Sequence, residues 1–353
     1  MDPISQAALG AVVAQGVAQH KLGYRAAGIG ALVGAMPDID VIWSFSGDYF
    51  DQLVAHRGIT HSLFFAPVIG PPIAWLIWRF EARSSPGKPE RNRLRAWTAA
   101  IVAAIWSHPL LDLLTPYGTQ LLLPFSNARF AINAMPIIDP VYTLTLLGGL
   151  LIAGWLHRSR ARAIALFTLT ITSAYLGYGW LLNVQAEEFA VDQLAREGVH
   201  DAQVSAFPTI LQVHYRRVVA RTTQEDRVGF VSMWDPCEII WSRAPRADSA
   251  LTKPFTESRE GDIFEWFAMG WLHYDLTPTS TGFHLLATDL RYGATSTPRE
   301  SVFTSSALLD RGGRLMASPI AGRFRPNANS ETLSGIYALA YEPNCAFDLA
   351  PGS

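Results

Sequence analysis

The first 140 residues carry ligand-type side chains at short, repeated spacings. Asp38 and Asp40 lie in Met-Pro-Asp-Ile-Asp, and His56 and His61 in His-Arg-Gly-Ile-Thr-His-Ser. His108 and Asp112 lie in Ser-His-Pro-Leu-Leu-Asp, and Asp139 in Ile-Ile-Asp-Pro. A His and an Asp four residues apart share one face of a helix. Imidazole beside carboxylate suits Zn²⁺, Mn²⁺ or Fe. The expected metal ligands are therefore Asp40, His56, His61, His108 and Asp112, with zinc the first expectation and manganese the second. A divalent ion there would acidify a water toward neutral pH for attack on an ester or phosphoester. Asp38 and Asp139 are spare carboxylates for proton transfer, and Arg57 is placed to hold an anionic group or developing charge.

Each residue also has a plainer reading. A His–Asp pair in a helix can be a structural ion pair. Asp38 and Asp40 can cap a turn, Asp139 before Pro140 can cap a helix, and Arg57 can anchor at a membrane interface.

The composition says what must position these side chains. Of 353 residues, 49% are hydrophobic and 16% charged, with mean hydropathy +0.15 and net charge −2. That is too few charges for an ordinary soluble enzyme, and too little positive charge for a nucleic-acid binder. Two cysteines exclude a disulfide-rich scaffold. Residues 1–184 hold 13 Lys/Arg against 9 Asp/Glu, a net of +4; the remainder nets −6. Long apolar stretches occur only in the first part. The expected fold is an α-helical polytopic membrane domain, 1–184, followed by a β-rich (α+β) soluble domain, 185–353.

Four segments are long and apolar enough to be expected as spans: 62–78, 96–114, 141–156 and 163–184. Trp75, Trp78, Trp97, Trp155 and Trp180 lie near their ends, as interfacial aromatics do. Residues 4–19 and 23–36, rich in Ala and Gly, read as short helices packed closely on the spans. The acidic Asp2 and the lack of a basic start argue against a cleaved signal peptide. Basic residues concentrate in 79–95 and in Arg158, Arg160 and Arg162, so those turns are expected in the cytoplasm. Residues 37–61, 115–140 and everything after 184 then face outward. His108 lies 13 residues beyond Arg95, about 20 Å along a helix. Charge bias and ligand spacing thus place the candidates in one layer near the outer interface.

The second part alternates as strands do in 209–221, with further strand-like runs at 227–233, 237–242, 263–274, 283–290 and 333–341. Residues 185–198 read as helical, continuing the last span. Cys237 and Cys345 either form a disulfide or are two unpaired buried thiols. His200, His214, His273 and His284 read as ordinary histidines. Gly28-Ile29-Gly30 lacks the strand and third glycine of a dinucleotide site and reads as helix packing.

The ordered motifs, with Leu-Pro-Phe after them and the opening Asp-Pro-Ile-Ser-Gln-Ala-Ala-Leu-Gly-Ala, resemble the bacterial inner-membrane metal-dependent hydrolases, one branch of which is described as LexA-regulated. The resemblance covers roughly residues 1–160. It implies that Asp40, His56, His61, His108 and Asp112 are metal and catalytic positions, in an inner-membrane, multi-pass protein. Many members carry His where this chain has Gln6. A more distant similarity, to zinc-dependent phospholipase C and P1 nuclease, rests on the same order of Asp40, His61, His108 and Asp112, and implies phosphoester hydrolysis.

The expected function is a membrane-bound metal-dependent hydrolase at the outer face of the inner membrane, with the bilayer as partner, a lipid or phosphoester as substrate and no nucleic acid. The alternatives are a non-catalytic anchor displaying the outward domain for partner binding, and a divalent-metal transporter.

Overall fold

The computed structural model describes residues 1–45, 47–84, 91–155, 158–247, 249–323 and 330–342. Its contacts divide into two units. The first comprises Met1–Gly47, Ala55–Tyr178 and Ile210–Gln212. The second comprises Asp48–Val54, Gly179–Thr209 and Val213–Ser353.

In the first unit, α1 (Pro3–Leu22) is started by Asp2, whose side chain accepts from the Ile4 and Ser5 amides, with Pro3 in the first turn. The left-handed Gly23 ends it. Then α2 (Arg25–Gly34) lies against α1. Their crossing depends on absent side chains: a Cβ on Gly30 would stand 2.4 Å from the Gly10 carbonyl oxygen, and one on Gly34 would stand 2.7 Å from Gly10 Cα. Small residues let the two backbones approach to this degree. Gly28, by contrast, faces open space. A 3-10 helix, Met36–Phe45, follows. α3 (Tyr49–Ala55) falls almost wholly in the second unit; the first resumes with a 3-10 turn at Ile59–His61, α4 (Phe65–Ser84) and α5 (Arg91–Asp112). Ala100, Ile101, Ala104 and Ile105 of α5 are buried against Ala14 and Ala18 of α1, Ala26 and Val33 of α2, and Ala66 and Ala74 of α4. The helix α6 (Pro140–Trp155) precedes α7 (Arg158–Arg196).

Of the four expected spans, α7 alone is long and apolar enough to cross a membrane by itself, among the described residues. The segments Tyr49–His61 and Phe65–Arg83 pass only as a bent pair, and α6 is short. The α5 segment begins with three arginines and ends in His and Asp, so its apolar run is cut at both ends. Trp97, expected at an interface, is 1% exposed and donates its indole N–H to Glu81 Oε2 at 3.0 Å. Trp155 and Trp180 are exposed.

The second unit holds two four-stranded antiparallel sheets. The first is β1 (Gln203–Pro208), β2 (Tyr215–Arg221), β3 (Glu225–Ser232) and β4 (Ser242–Pro245); the second is β5 (Leu272–Pro278), β6 (Gly282–Asp289), β7 (Phe303–Asp310) and β8 (Ile320–Arg323). Each sheet is in sequence order, as hairpin-connected strands must be. Alternation assigns the faces. Ala206, Val218 and Val231 pack with Ala186 and Ala190 of α7. Their neighbours Phe207 and Val219, with Val228, pack with Trp271 and Leu290. β2 is thus buried on both sides, Arg216 and Arg217 included.

Three strand expectations fail. Arg259–Ala268 is a helix, α9, which follows α8 (Ser249–Thr256). Ser258 caps α9, Glu260 and Asp262 stand in its first turn, and Phe264, Phe267 and Ala268 are buried at helical spacing. Ser330–Tyr341 is α10, whose apolar residues repeat every three to four positions rather than every two. Residues 237–241 lie outside any strand, and β1 was not anticipated. Cys345, on which the disulfide alternative for Cys237 depends, and Lys88 of the basic segment lie outside the described residues.

Candidate metal centre

The four-residue spacing on α5 puts His108 and Asp112 side by side and wholly buried. The 3-10 helix after α2 supplies Asp38 and Asp40, and the 3-10 turn at Ile59–His61 supplies His61. Ligand atoms of Asp38, His61, His108 and Asp112 all lie within 4.8 Å of one another. His61 Nε2 is 3.2 Å from Asp112 Oδ2 and 3.5 Å from Asp38 Oδ1. His108 Nε2 is 3.3 Å from Asp38 Oδ1 and 3.5 Å from Asp112 Oδ2.

The outer nitrogens decide which protons these rings carry. His108 Nδ1 is 2.6 Å from the Gly34 carbonyl oxygen, which can only accept, so Nδ1 donates. His61 Nδ1 faces Asp40 Oδ2 at 3.2 Å, and a carboxylate likewise accepts. In the neutral rings both Nε2 atoms therefore present lone pairs inward, toward carboxylate oxygens. His61 Nε2, His108 Nε2 and Asp112 Oδ2 are all buried without a hydrogen-bond partner. Converging lone pairs repel unless a metal ion or a proton lies among them; burial would lower the His61 imidazole, but Asp112, Asp38 and Asp40 outweigh that and push it up to about 10 while the centre holds no metal. The four separations bracket the edge of a tetrahedron with bonds of 2.0–2.1 Å, which is about 3.3 Å. The donor set fits a divalent ion of the zinc type.

The surrounding groups hold this set in place. Asp40 accepts from the Arg57 amide at 2.9 Å and Thr60 Oγ1 at 3.2 Å, and pairs with His56 Nδ1 at 3.0 Å as well as with His61. Burial alone would raise its carboxyl; hydrogen bonds from His56 and His61 outweigh that and hold it well below the ordinary carboxylate range. Asp40 is thus the carboxylate of a carboxylate–histidine pair, the arrangement that orients metal-binding imidazoles. Asp38, Asp40 and His56 also form a second group within ligand range of one another. Arg57, 4% exposed and in the left-handed region with φ 56°, donates to Thr115 Oγ1 at 2.7 Å and pairs with Asp112 Oδ1 at 3.2 Å. Its guanidinium lies 4.7 Å from the Tyr117 ring centre. Gln6 Nε2 donates to the same Asp112 oxygen at 3.0 Å, as does the Met1 nitrogen. With Oδ1 taken up, Oδ2 is the oxygen left to face the histidines.

Asp38, expected as a base, stands with the ligand atoms, and Asp40, expected as a ligand, stands behind His61. Arg57 is committed to Asp112 and Thr115. Asp139 lies in neither ligand group. It caps α6 through the Tyr142 amide at 2.9 Å and accepts from Tyr175 Oη at 3.0 Å. The contributions of Gly34, Thr60 and Thr115 escaped sequence reasoning, because a backbone carbonyl and a hydroxyl carry no spacing signal.

A helical unit holding two buried histidines and two aspartates, with an apolar helix fit to cross a bilayer, defines the class: a membrane protein with a possible metal site. The chain matches the YdjM inner membrane protein family over residues 1–186 and belongs to that family. The inner membrane protein YbcI of Escherichia coli (strain K12) is 31% identical over 129 residues, which are 36% of this chain and 69% of YbcI. The uncharacterized protein YfhP of Bacillus subtilis (strain 168) is 30% identical over 116 residues, 32% of each chain, so the match spans about a third of YfhP. No solved structure matches.

Proposed function

We propose that this protein is a membrane-bound metal-dependent hydrolase acting on an ester or phosphoester, in a lipid-linked substrate at the outer face of the inner membrane. The observation that carries this reading is the convergence of His61 Nε2, His108 Nε2 and Asp112 Oδ2, all buried and unpartnered, on Asp38. These four residues would hold the ion, zinc or manganese. Once bound, it would supply Lewis-acid polarisation of the ester oxygen and a nucleophile at neutral pH.

The chain's own groups divide the remaining work. Asp40 fixes the tautomer of His61, and the Gly34 carbonyl fixes that of His108. Arg57 and Gln6 aim Asp112 by holding its outer oxygen. His56 is the accessible acid–base group: its side chain is 26% exposed, and with Nδ1 committed to Asp40 its ring exchanges a proton at Nε2. The order of Asp40, His61, His108 and Asp112 along the chain, and the outward topology read from the basic residues, are the grounds for the phosphoester and the outer face.

The test is metal content by mass spectrometry on detergent-purified protein, wild type beside His108→Ala/Asp112→Ala, followed by a screen of phosphoester and lipid substrates. Stoichiometric zinc or manganese in the wild type, lost in the double variant, is the expected result. A folded wild type without metal refutes the reading. A reporter fused after residue 353 tests the topology.

A further inference from the structure

At the far end of α4 from the metal centre, an open surface groove of about 400 Å³ is lined by Trp75, Leu76, Trp78, Arg79, Phe80 and Arg83, all of them on α4. Trp75, Arg79 and Arg83 follow one another at four-residue steps and so share a helix face, with Leu76 and Phe80 alongside. Trp75, Leu76 and Phe80 are 49%, 48% and 63% exposed, so the face is apolar where α4 is apolar and cationic where it leaves that stretch.

Arg79 and Arg83 are like charges one turn apart, a mildly unfavourable pair unless an anion lies between them. The nearby carboxylate does not serve. Glu81 is taken by Arg93 at 2.7 and 2.9 Å, by Arg25 at 3.1 Å and by the Trp97 indole. Among the described residues, Arg79 and Arg83 have no ion-pair partner. Trp78, at the edge of the same groove, packs against the buried helical core. Two guanidiniums beside exposed aromatic and aliphatic side chains are the chemistry of a phosphodiester attached to something apolar.

We propose that this groove binds the headgroup phosphate of an anionic glycerophospholipid in the leaflet beside the basic end of α4. The inference rests on the family's membrane location and not on the hydrolase reading. Arg79 and Arg83 fork onto the phosphate oxygens, and the acyl chains run along the exposed Leu76, Trp75 and Val68 of α4. Juxtamembrane arginines contribute about fivefold each toward anionic lipid.

Full-length protein, purified in detergent and delipidated, is titrated with phosphatidylglycerol, with phosphatidylcholine of the same acyl chains, and with inorganic phosphate, and adducts are counted by native mass spectrometry. Selective retention of phosphatidylglycerol is expected. Arg79→Gln/Arg83→Gln should weaken it about thirty-fold while metal content stays unchanged. Equal binding of the two lipids, unchanged binding in the double variant, or displacement of the lipid by millimolar phosphate would each overturn the site. Should the glutamine pair not fold, Arg79→Lys/Arg83→Lys keeps the charge and loses the fork. A preference kept but weakened several-fold is then expected, and wild-type affinity overturns the proposal.

Discussion

The carbonyl oxygen of Gly34 lies 2.6 Å from His108 Nδ1, so the last residue of α2 sets the tautomer of a histidine on α5. The same glycine approaches α1 so closely that a Cβ would stand 2.7 Å from Gly10 Cα and 3.1 Å from the Gln6 carbonyl oxygen. One residue therefore couples helix packing to the electronic state of a ligand.

Gly34→Ala should separate α1 from α2 and shift the carbonyl that holds His108. The expected cost is about 1–3 kcal/mol of stability, with weaker zinc binding. Thermal melting and metal content are read on the same sample. Unchanged metal content despite a lowered melting temperature would uncouple the two roles.

Asp40→Asn keeps an oxygen acceptor but removes the charge behind His61 and His56. Zinc affinity should fall about 10–100-fold, as for other outer carboxylates, without being abolished. Competition with a chelator measures this. Complete loss of metal would instead make Asp40 a direct ligand, through the group it forms with Asp38 and His56.

Arg57→Gln should act on stability. Its guanidinium is buried against Asp112 and Thr115, and breaking a buried ion pair by removing one partner costs about 3–5 kcal/mol. A variant that melts like the wild type but binds substrate more weakly would return Arg57 to a direct role on the substrate.

The second unit has its own acid-sensitive contact. Burial raises the Asp226 carboxyl, but His273 at 2.8 Å and Arg221 at 2.6 Å outweigh it and leave the group below its ordinary value. A depressed folded pKa stabilises above the unfolded value of about 3.9, and that contribution is lost as pH falls through the folded pKa. Hydrogen exchange in β2, β3 and β5 should accelerate as pH is lowered below about 4, beyond the intrinsic pH effect. Asp226→Asn should remove that dependence; if the dependence persists in the variant, another group is responsible.

The centre was legible in the sequence to the extent that its residues come in pairs close along the chain. Asp38–Asp40, His56–His61 and His108–Asp112 each announced a ligand pair, and the four-residue step placed the last pair on one helical face. Division of labour was not legible. Asp38 and Asp40 are chemically alike and two residues apart, yet one faces Nε2 of His61 and the other Nδ1. In the second unit, alternation found β2, but the run at 263–274 misled because Phe264, Trp266 and Phe267 have high strand propensity, which the Ser258 cap and burial at helical spacing override.

The sequence by itself determined an apolar helical part with ligand pairs on it and a β-rich part after it, because hydropathy and spacing are local properties of the chain. The tertiary structure decided which lone pairs converge. His61 and His108 are 47 residues apart, and the groups that set their protons, Asp40 and Gly34, lie on a 3-10 helix and at the end of α2. The direction of a nitrogen lone pair depends on which acceptor the opposite nitrogen meets, and that is settled only when separate helices have packed.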